Sequence, residues 1–235
     1  MSNFSTKWEF FIKVLIEKGA YKQVLDGLKC TLIIAVCGLL IGVAIGTLIA
    51  VVKILPEKIK VAAVFKKAAD IYVAFFRGTP MVVQLLLGYY VLLPLLEIRT
   101  TPLVACVVIF GLNSGAYVSE IMRSGLLSVD YGQTEAGRAL GLSYPLTLMR
   151  IVVPQAIKNI LPTLGNEFIT LVKETSIVSF VGAVDLCTAF KNIGNSNYEY
   201  MVPYTVMALV YIVLVLIITV AIRLMEKRLR ASDKR

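Results

Sequence analysis

The sequence predicts an all-α polytopic membrane protein with five transmembrane helices, and three observations carry that expectation. Of 235 residues, 58% are hydrophobic and only 17% charged, whereas a soluble domain carries roughly a quarter charged. Four charge-free runs follow one another: 23 residues between Lys29 and Lys53, 19 between Arg77 and Glu97, 20 between Arg99 and Glu120, and 23 between Glu199 and Arg223. Each is long enough to cross a hydrocarbon layer of about 30 Å at about 1.5 Å per helical residue. A fifth run, Ile151–Val172, is equally long but interrupted by Lys158 and Glu167. The longest hydrophilic stretch is too short for a soluble domain, so the chain reads as one transmembrane domain.

Taken in order, residues 7–19 place Trp8, Phe11, Ile12, Leu15 and Gly19 at helical spacing. They suit a helix lying in the membrane interface before the first span. The first span, about 27–52, carries Gly38, Gly42 and Gly46, a spacing that permits close helix approach, within the subunit or between subunits. The second, about 70–96, holds Arg77-Gly78-Thr79-Pro80, where proline removes a backbone hydrogen bond and kinks or breaks the helix. Pro94 and Pro102 bracket a short turn. The third span, about 100–122, turns polar in its second half, at Asn113, Ser114, Tyr117, Ser119 and Glu120. A loop at about 125–148 leads to the interrupted fourth span, about 149–172. Residues 173–198, with the turn-rich NIGNSN, precede the fifth span, about 200–224.

Five crossings put the termini on opposite sides, and the positive-inside rule chooses between them. With the C-terminus cytoplasmic and the N-terminus outside, the inner segments hold 16 of the 24 Lys and Arg residues, Lys58, Lys234 and Arg235 among them. The net charge of +9 is explained by this asymmetry and calls for no nucleic acid. Cys30, Cys37, Cys106 and Cys187 are scattered and read as small packing residues. The chain has no histidine, which excludes histidine-dependent triads and histidine metal sites.

The loop between the third and fourth spans is the least ordinary part of the chain. Asp130 and Gln133 look like a capping box, Gly141 like a helix stop, and Ser143 with Pro145 like the start of the next helix. The short helix so defined contains Gln133, Glu135, Ala136, Gly137, Arg138, Ala139 and Leu140, and Leu142 follows its stop. It has little to bury in its own subunit, which suits either a docking element or an ordinary connector.

The spacing Glu135-Ala136-Gly137, three residues, Gly141, nine residues, Ile151-x-Val153-Pro154 resembles the EAA loop of permease subunits in binding-protein-dependent ABC importers. Gly137 stands where that pattern has alanine, loosening the helix by up to about 1 kcal/mol, and Val153 stands where it has leucine. VAFFRGTPMVVQLLLGYY at 73–90, GLNSGAYVSEIMRSGLLSVDYGQTEAGRALGLS at 111–143 and LPTLGNEFITLVKETSIVS at 161–179 are similar to the polar amino-acid branch of the family. The resemblance covers roughly residues 20–230 and implies a type I ABC importer permease fold. It implies a second permease subunit, expected to be a copy of this chain, two cytoplasmic ABC ATPase subunits, an extracytoplasmic amino-acid-binding receptor and a prokaryotic inner (cytoplasmic) membrane. Residues 133–143 would dock on the ATPase. The chain lacks a GxxxxGK[ST] loop, so it is expected to be no enzyme and to bind no cofactor; ATP and Mg2+ belong to the partner ATPase.

Polar groups inside spans are costly and should face a bundle interior or a wet path. The candidates for a substrate pathway or gate are Gln84, Asn113, Ser114, Tyr117, Glu120, Asn166, Glu167 and Thr170. The competing reading for each is a structural hydrogen bond between helices, and for Glu120 a pairing with Arg123. Arg77 through Pro80 are assigned to the helix bend or the subunit interface. Glutamine, cystine, glutamate and basic amino acids all remain open as cargo. The rival class is an ion-coupled secondary transporter acting alone, against which stands the absence of a detectable internal repeat.

Overall fold

The structure, a computed structural model, describes residues 4–54 and 60–231. Lys58, Lys234 and Arg235, counted above among the inner basic residues, lie outside the described residues. Helix α1 (Phe4–Ile16) comes first and ends before Gly19, whose φ of 71° lets the chain turn. Helix α2 (Ala20–Ile54) follows, then α3 (Lys60–Gly78), α4 (Met81–Leu95) and α5 (Pro102–Leu127). Of these, α2 and α5 are each long and apolar enough to cross a membrane.

The seam between α2 and α5 is closely packed. A Cβ on Gly42 would lie 2.6 Å from Ser114 Oγ, and one on Gly115 would lie 2.8 Å from Ile45 Cγ2. The glycine repeat of the first span therefore packs within the subunit, against the polar half of the third. Around the seam a core of Ile34, Leu85, Phe110, Leu171 and Val178 is sealed from solvent.

The second predicted span is two helices. α3 begins ten residues before the expected start, and α3 and α4 meet at Thr79–Pro80 with a bend of 110°. Proline supplies no N–H to continue α3, and its ring bars the helix geometry upstream. Farther along α4, a π turn at Gly88–Leu92 precedes Pro94. Its wider ring moves the carbonyl four residues before the proline out of the way.

After α5 come the short helix α6 (Tyr131–Ala139) and the single turn α7 (Tyr144–Thr147). A second π turn, Leu148–Val152, ahead of Pro154, joins α7 to α8 (Val153–Glu174). A 3-10 turn, Thr175–Val181, ends at Gly182 (φ 81°) and leads to α9 (Leu186–Asn197) and α10 (Met201–Ala231). Helix α10 is the third that is apolar enough to span. Two bent pairs, α3 with α4 and Tyr144–Val181 with Leu186–Ser196, bring the number of spans to five when each is taken as one.

Two expectations change here. NIGNSN is helical to Asn197, because Leu186, Phe190 and Ile193 bury one face of α9. Helix α1 does more than rest on an interface: Phe11 and Val14 are sealed against that same face and Val202. Trp8 of the same helix is 41% exposed.

Candidate functional site

The predicted polar residues fall into three connected groups. The first sits at the break between α3 and α4. Opening a helix there leaves carbonyls without partners, and Gln84, one turn into α4, supplies them. Its Nε2 donates to Phe76 O at 2.8 Å, to Thr79 O at 3.0 Å and to Thr79 Oγ1 at 2.9 Å. Asn113 Nδ2 of α5 donates to Gln84 Oε1 at 2.8 Å, and Thr79 Oγ1 donates to Phe75 O. Gln84 and Asn113 are both 4% exposed, so their polar atoms are committed to holding the bend.

The second group joins α5 to α8. Ser114 Oγ donates to Glu167 Oε1 at 2.9 Å, in the space that Gly42 leaves open. Ser114 is fully buried and Glu167 is 9% exposed. The neighbours of Glu167 on α8, Asn166 and Thr170, point outward; Thr170 Oγ1 donates to Asn166 O. Tyr117 is 36% exposed and lies under the Arg77 guanidinium, which is 5.6 Å from its ring centroid.

The third group surrounds Glu120. Arg123 Nη2 lies 2.8 Å from Glu120 Oε2, Lys53 Nζ 3.1 Å from Oε1 and Arg77 Nη1 3.9 Å from Oε2. Lys53 also reaches Asp70 at 3.0 Å. The ends of α2, α3 and α5 are thus tied by three cations around one carboxylate, and Arg77 joins the bend to this network. Gly78 has open space where a Cβ would go.

At the same end of the bundle, α6 stands out from the helices. Asp130 caps it, accepting Gly132 N at 2.8 Å. Gln133 does not close the other half of a capping box; its Oε1 accepts from Gln155 Nε2 at 3.2 Å instead. Gly141 ends the helix with φ 76°. Ser143 occupies the N-cap position of α7 but makes no side-chain cap bond; its carbonyl accepts from Thr147 Oγ1. Gly137 is the one buried residue of α6, and a Cβ there would sit 2.5 Å from Thr147 Cγ2. Glu135, Ala136, Arg138, Ala139 and Leu140 are all exposed, Leu140 to 78%, while Leu142 is half-buried. The helix is seated by Gly137, with Thr134 half-buried and Gln133 bonded to Gln155, and turns Glu135, Ala136, Arg138, Ala139 and Leu140 outward.

One polar centre was not singled out from sequence. Asp185 is fully buried and caps α9, accepting Cys187 N at 3.1 Å, Thr188 N at 2.9 Å, Thr188 Oγ1 at 2.6 Å and Tyr211 OH at 3.3 Å. Thr31 of α2 accepts Leu186 N beside it, and Thr175 Oγ1 donates to Thr31 Oγ1. Asp185 with Thr188 three residues on was an available N-cap signal. Among the described residues no three acidic or cysteine side chains gather where a metal could be held.

The described residues thus hold up to five spans, a broken second span and an exposed short helix between the third and fourth. Residues 42–231 match the family of binding-protein-dependent transport system inner membrane components. The chain belongs to that family. It is 40% identical over 210 residues to the arginine transport system permease protein ArtQ of Bacillus subtilis, covering 89% of this chain and 94% of that one. It is also 40% identical to a putative glutamine transport system permease protein GlnP of Rickettsia bellii, over 89% and 94%. Among solved structures, an amino acid ABC transporter crystallised with histidines superposes with a TM-score of 0.83 at 36% identity, covering 97% of this chain and 99% of that one. The inward-facing MetNI methionine ABC transporter, at 22% identity and a TM-score of 0.61, shares the fold. The protein is therefore a multi-pass inner-membrane permease subunit of an amino-acid ABC importer, and permease subunits of this family are not themselves enzymes. Its partners include an ATPase and a binding protein.

Proposed function

We propose that this permease carries a polar L-amino acid into the cytoplasm as half of a homodimer. Its N-terminus lies outside, its C-terminus inside, and α6 engages one of two ATPase subunits. The glutamine, cystine, glutamate and basic amino-acid classes are its candidate cargo. ATP and Mg2+ act in the ATPase, and a receptor delivers the amino acid from outside. The carrying observation is α6 itself: a capped helix that buries a single glycine and exposes Glu135, Arg138 and Leu140. A push on α6 passes through Thr147 into α8, which bears Asn166, Glu167 and Thr170, and α8 is bonded to α5 at Ser114. Glu120 and Tyr117 stand where α3 meets α5 and form the gate on the cytoplasmic side. Gln84 and Asn113 hold the bend that shapes this path and do not meet the cargo.

Proteoliposomes test the reading. The permease reconstituted with its ATPase and receptor should take up labelled amino acid only when ATP is in the ATPase compartment. Glu135→Lys should leave the helices folded by circular dichroism while uptake falls about tenfold or more, as loss of one charged docking contact allows. Uptake by the permease alone, driven by an ion gradient, would establish the secondary-transporter reading instead.

A further inference from the structure

Helix α8 carries a polar line that runs farther than the residues first singled out. Asn159, Thr163, Asn166 and Thr170 are all exposed, at spacings of four, three and four. At about 100° per residue they lie within an arc of roughly 60°, one narrow stripe along about three turns of helix. Asn159 Nδ2 donates to Ser128 Oγ at 2.8 Å, and Thr163 Oγ1 and Thr170 Oγ1 donate to the carbonyls one turn back. Even so bonded, each leaves an amide or hydroxyl with unused capacity at the surface.

Two other faces of α8 are occupied. Ala156, Ile160, Glu167 and Leu171 are buried, with Ile160 against Gly125 and Glu167 on Ser114, both in α5. Leu161, Gly165 and Phe168 line an apolar groove shared with Ile218 and Ile222 of α10, and Gly165 admits Ile222. Helix α10 has no buried residue in its most apolar window and presents Ile212, Leu216 and Val220 outward, as a lipid-facing helix does. The stripe points away from that side of α8. An exposed row of amides and hydroxyls at membrane depth finds no hydrogen-bonding partner in hydrocarbon, where unsatisfied polar groups cost several kcal/mol.

We infer that Asn159, Thr163, Asn166 and Thr170 form the wetted wall of the solute path, along which water and a zwitterionic amino acid exchange hydrogen bonds. Glu167 stands behind this wall, its carboxylate engaged by Ser114. This rests on the importer reading but adds its own content: two residues, Asn159 and Thr163, join the path, and the wall is neutral and rich in donors and acceptors along about three turns.

Single cysteines at the four stripe positions, and at Ile212, Leu216 and Val220 of α10, test it in native membranes carrying the full transporter. A charged, membrane-impermeant thiosulfonate is admitted to both faces of the vesicles, and each site is read by peptide mass spectrometry, so Cys30, Cys37, Cys106 and Cys187 stay in place as internal references. Thiolate attack needs water at the sulfur, so the stripe should label about tenfold or more faster than the α10 sites, although all seven are exposed on the subunit. Glu17→Cys, in the exposed turn after α1 and away from α6, reports that reagent and fold are sound. Labelling at Glu17→Cys with none on the stripe would show a dry packing face, such as a contact with a second copy, and overturn the inference. Equal labelling of stripe and α10 would overturn it as well. The readout uses neither ATP nor receptor, so its failure is distinct from a failure of ATP-driven uptake.

Discussion

Gly137 shows how one residue can look like a weakness and be a fit. As a departure from alanine in a short helix it lowers helix propensity by up to about 1 kcal/mol. In the structure it is where α6 touches the bundle, and a methyl group there would lie 2.5 Å from Thr147 Cγ2 and 2.7 Å from Thr147 Oγ1. Forcing an extra carbon into a packed contact costs about 1–3 kcal/mol, more than propensity returns. Gly137→Ala should therefore lower the thermal midpoint of the purified permease and loosen α6. Thr147→Ala, which removes both clashing atoms, should restore the midpoint in the double variant although it costs stability alone. Additive losses in the double variant would show that the two side chains do not share this contact. Gly137 itself was legible as a departure from the family pattern; its partner was not, because nothing local pairs residue 137 with residue 147.

At the scale of elements, the N-terminal helix is held by chemistry that responds to acid. Lys7 Nζ lies 3.1 Å from Glu199 Oε1, and the same carboxylate accepts Met201 N and Val202 N at 3.2 Å each, capping α10. Burial pushes the Glu199 carboxyl up, but Lys7 and the two backbone N–H groups outweigh it and hold it below the usual glutamate range. The sign follows from linkage: a carboxyl lowered by folding contributes stability above its unfolded value, near 4.3, and loses it as pH falls through the folded value. Hydrogen exchange in α1 should stay slow from neutral pH to about 5 and quicken below about 4, after correction for the intrinsic rate. In Glu199→Gln that acid step should vanish, with α1 looser at neutral pH; an unchanged step would place the titrating group elsewhere. The effect should be modest, since both ends of the pair are partly exposed. The amphipathic pattern announced α1, but its docking on α9 depended on that segment being helical, which its turn-forming residues concealed.

For the whole molecule, the spans were readable because a charge-free run of about twenty residues is a property of the chain alone. The break at Thr79–Pro80 was readable for the same reason, being written in one proline. Its 110° angle was not, since that depends on Gln84 and Asn113 meeting across two helices. The short exposed helix α6 was visible because family spacing and a cap coincide with a stretch too polar to span. The glycine repeat of α2 was visible too, yet only the assembled fold shows what it faces, and from this comes a graded expectation. A Cβ on Gly38 would meet Phe110 Cβ at 3.3 Å, a contact that a small shift relieves, whereas one on Gly42 would meet Ser114 Oγ at 2.6 Å and Ser114 Cβ at 2.7 Å. Ser114 cannot yield without releasing Glu167 and separating α5 from both α2 and α8. Gly42→Ala should cost about 1–3 kcal/mol and Gly38→Ala under about 1, measured as thermal midpoints of the two variants in the same detergent. Because Gly42 bears on the serine that bonds α8, Gly42→Ala should also slow ATP-driven uptake, and Gly38→Ala should leave it near wild type. Equal effects of the two substitutions would mean that α2 and α5 separate as rigid bodies, with no special role for the Gly42–Ser114–Glu167 line.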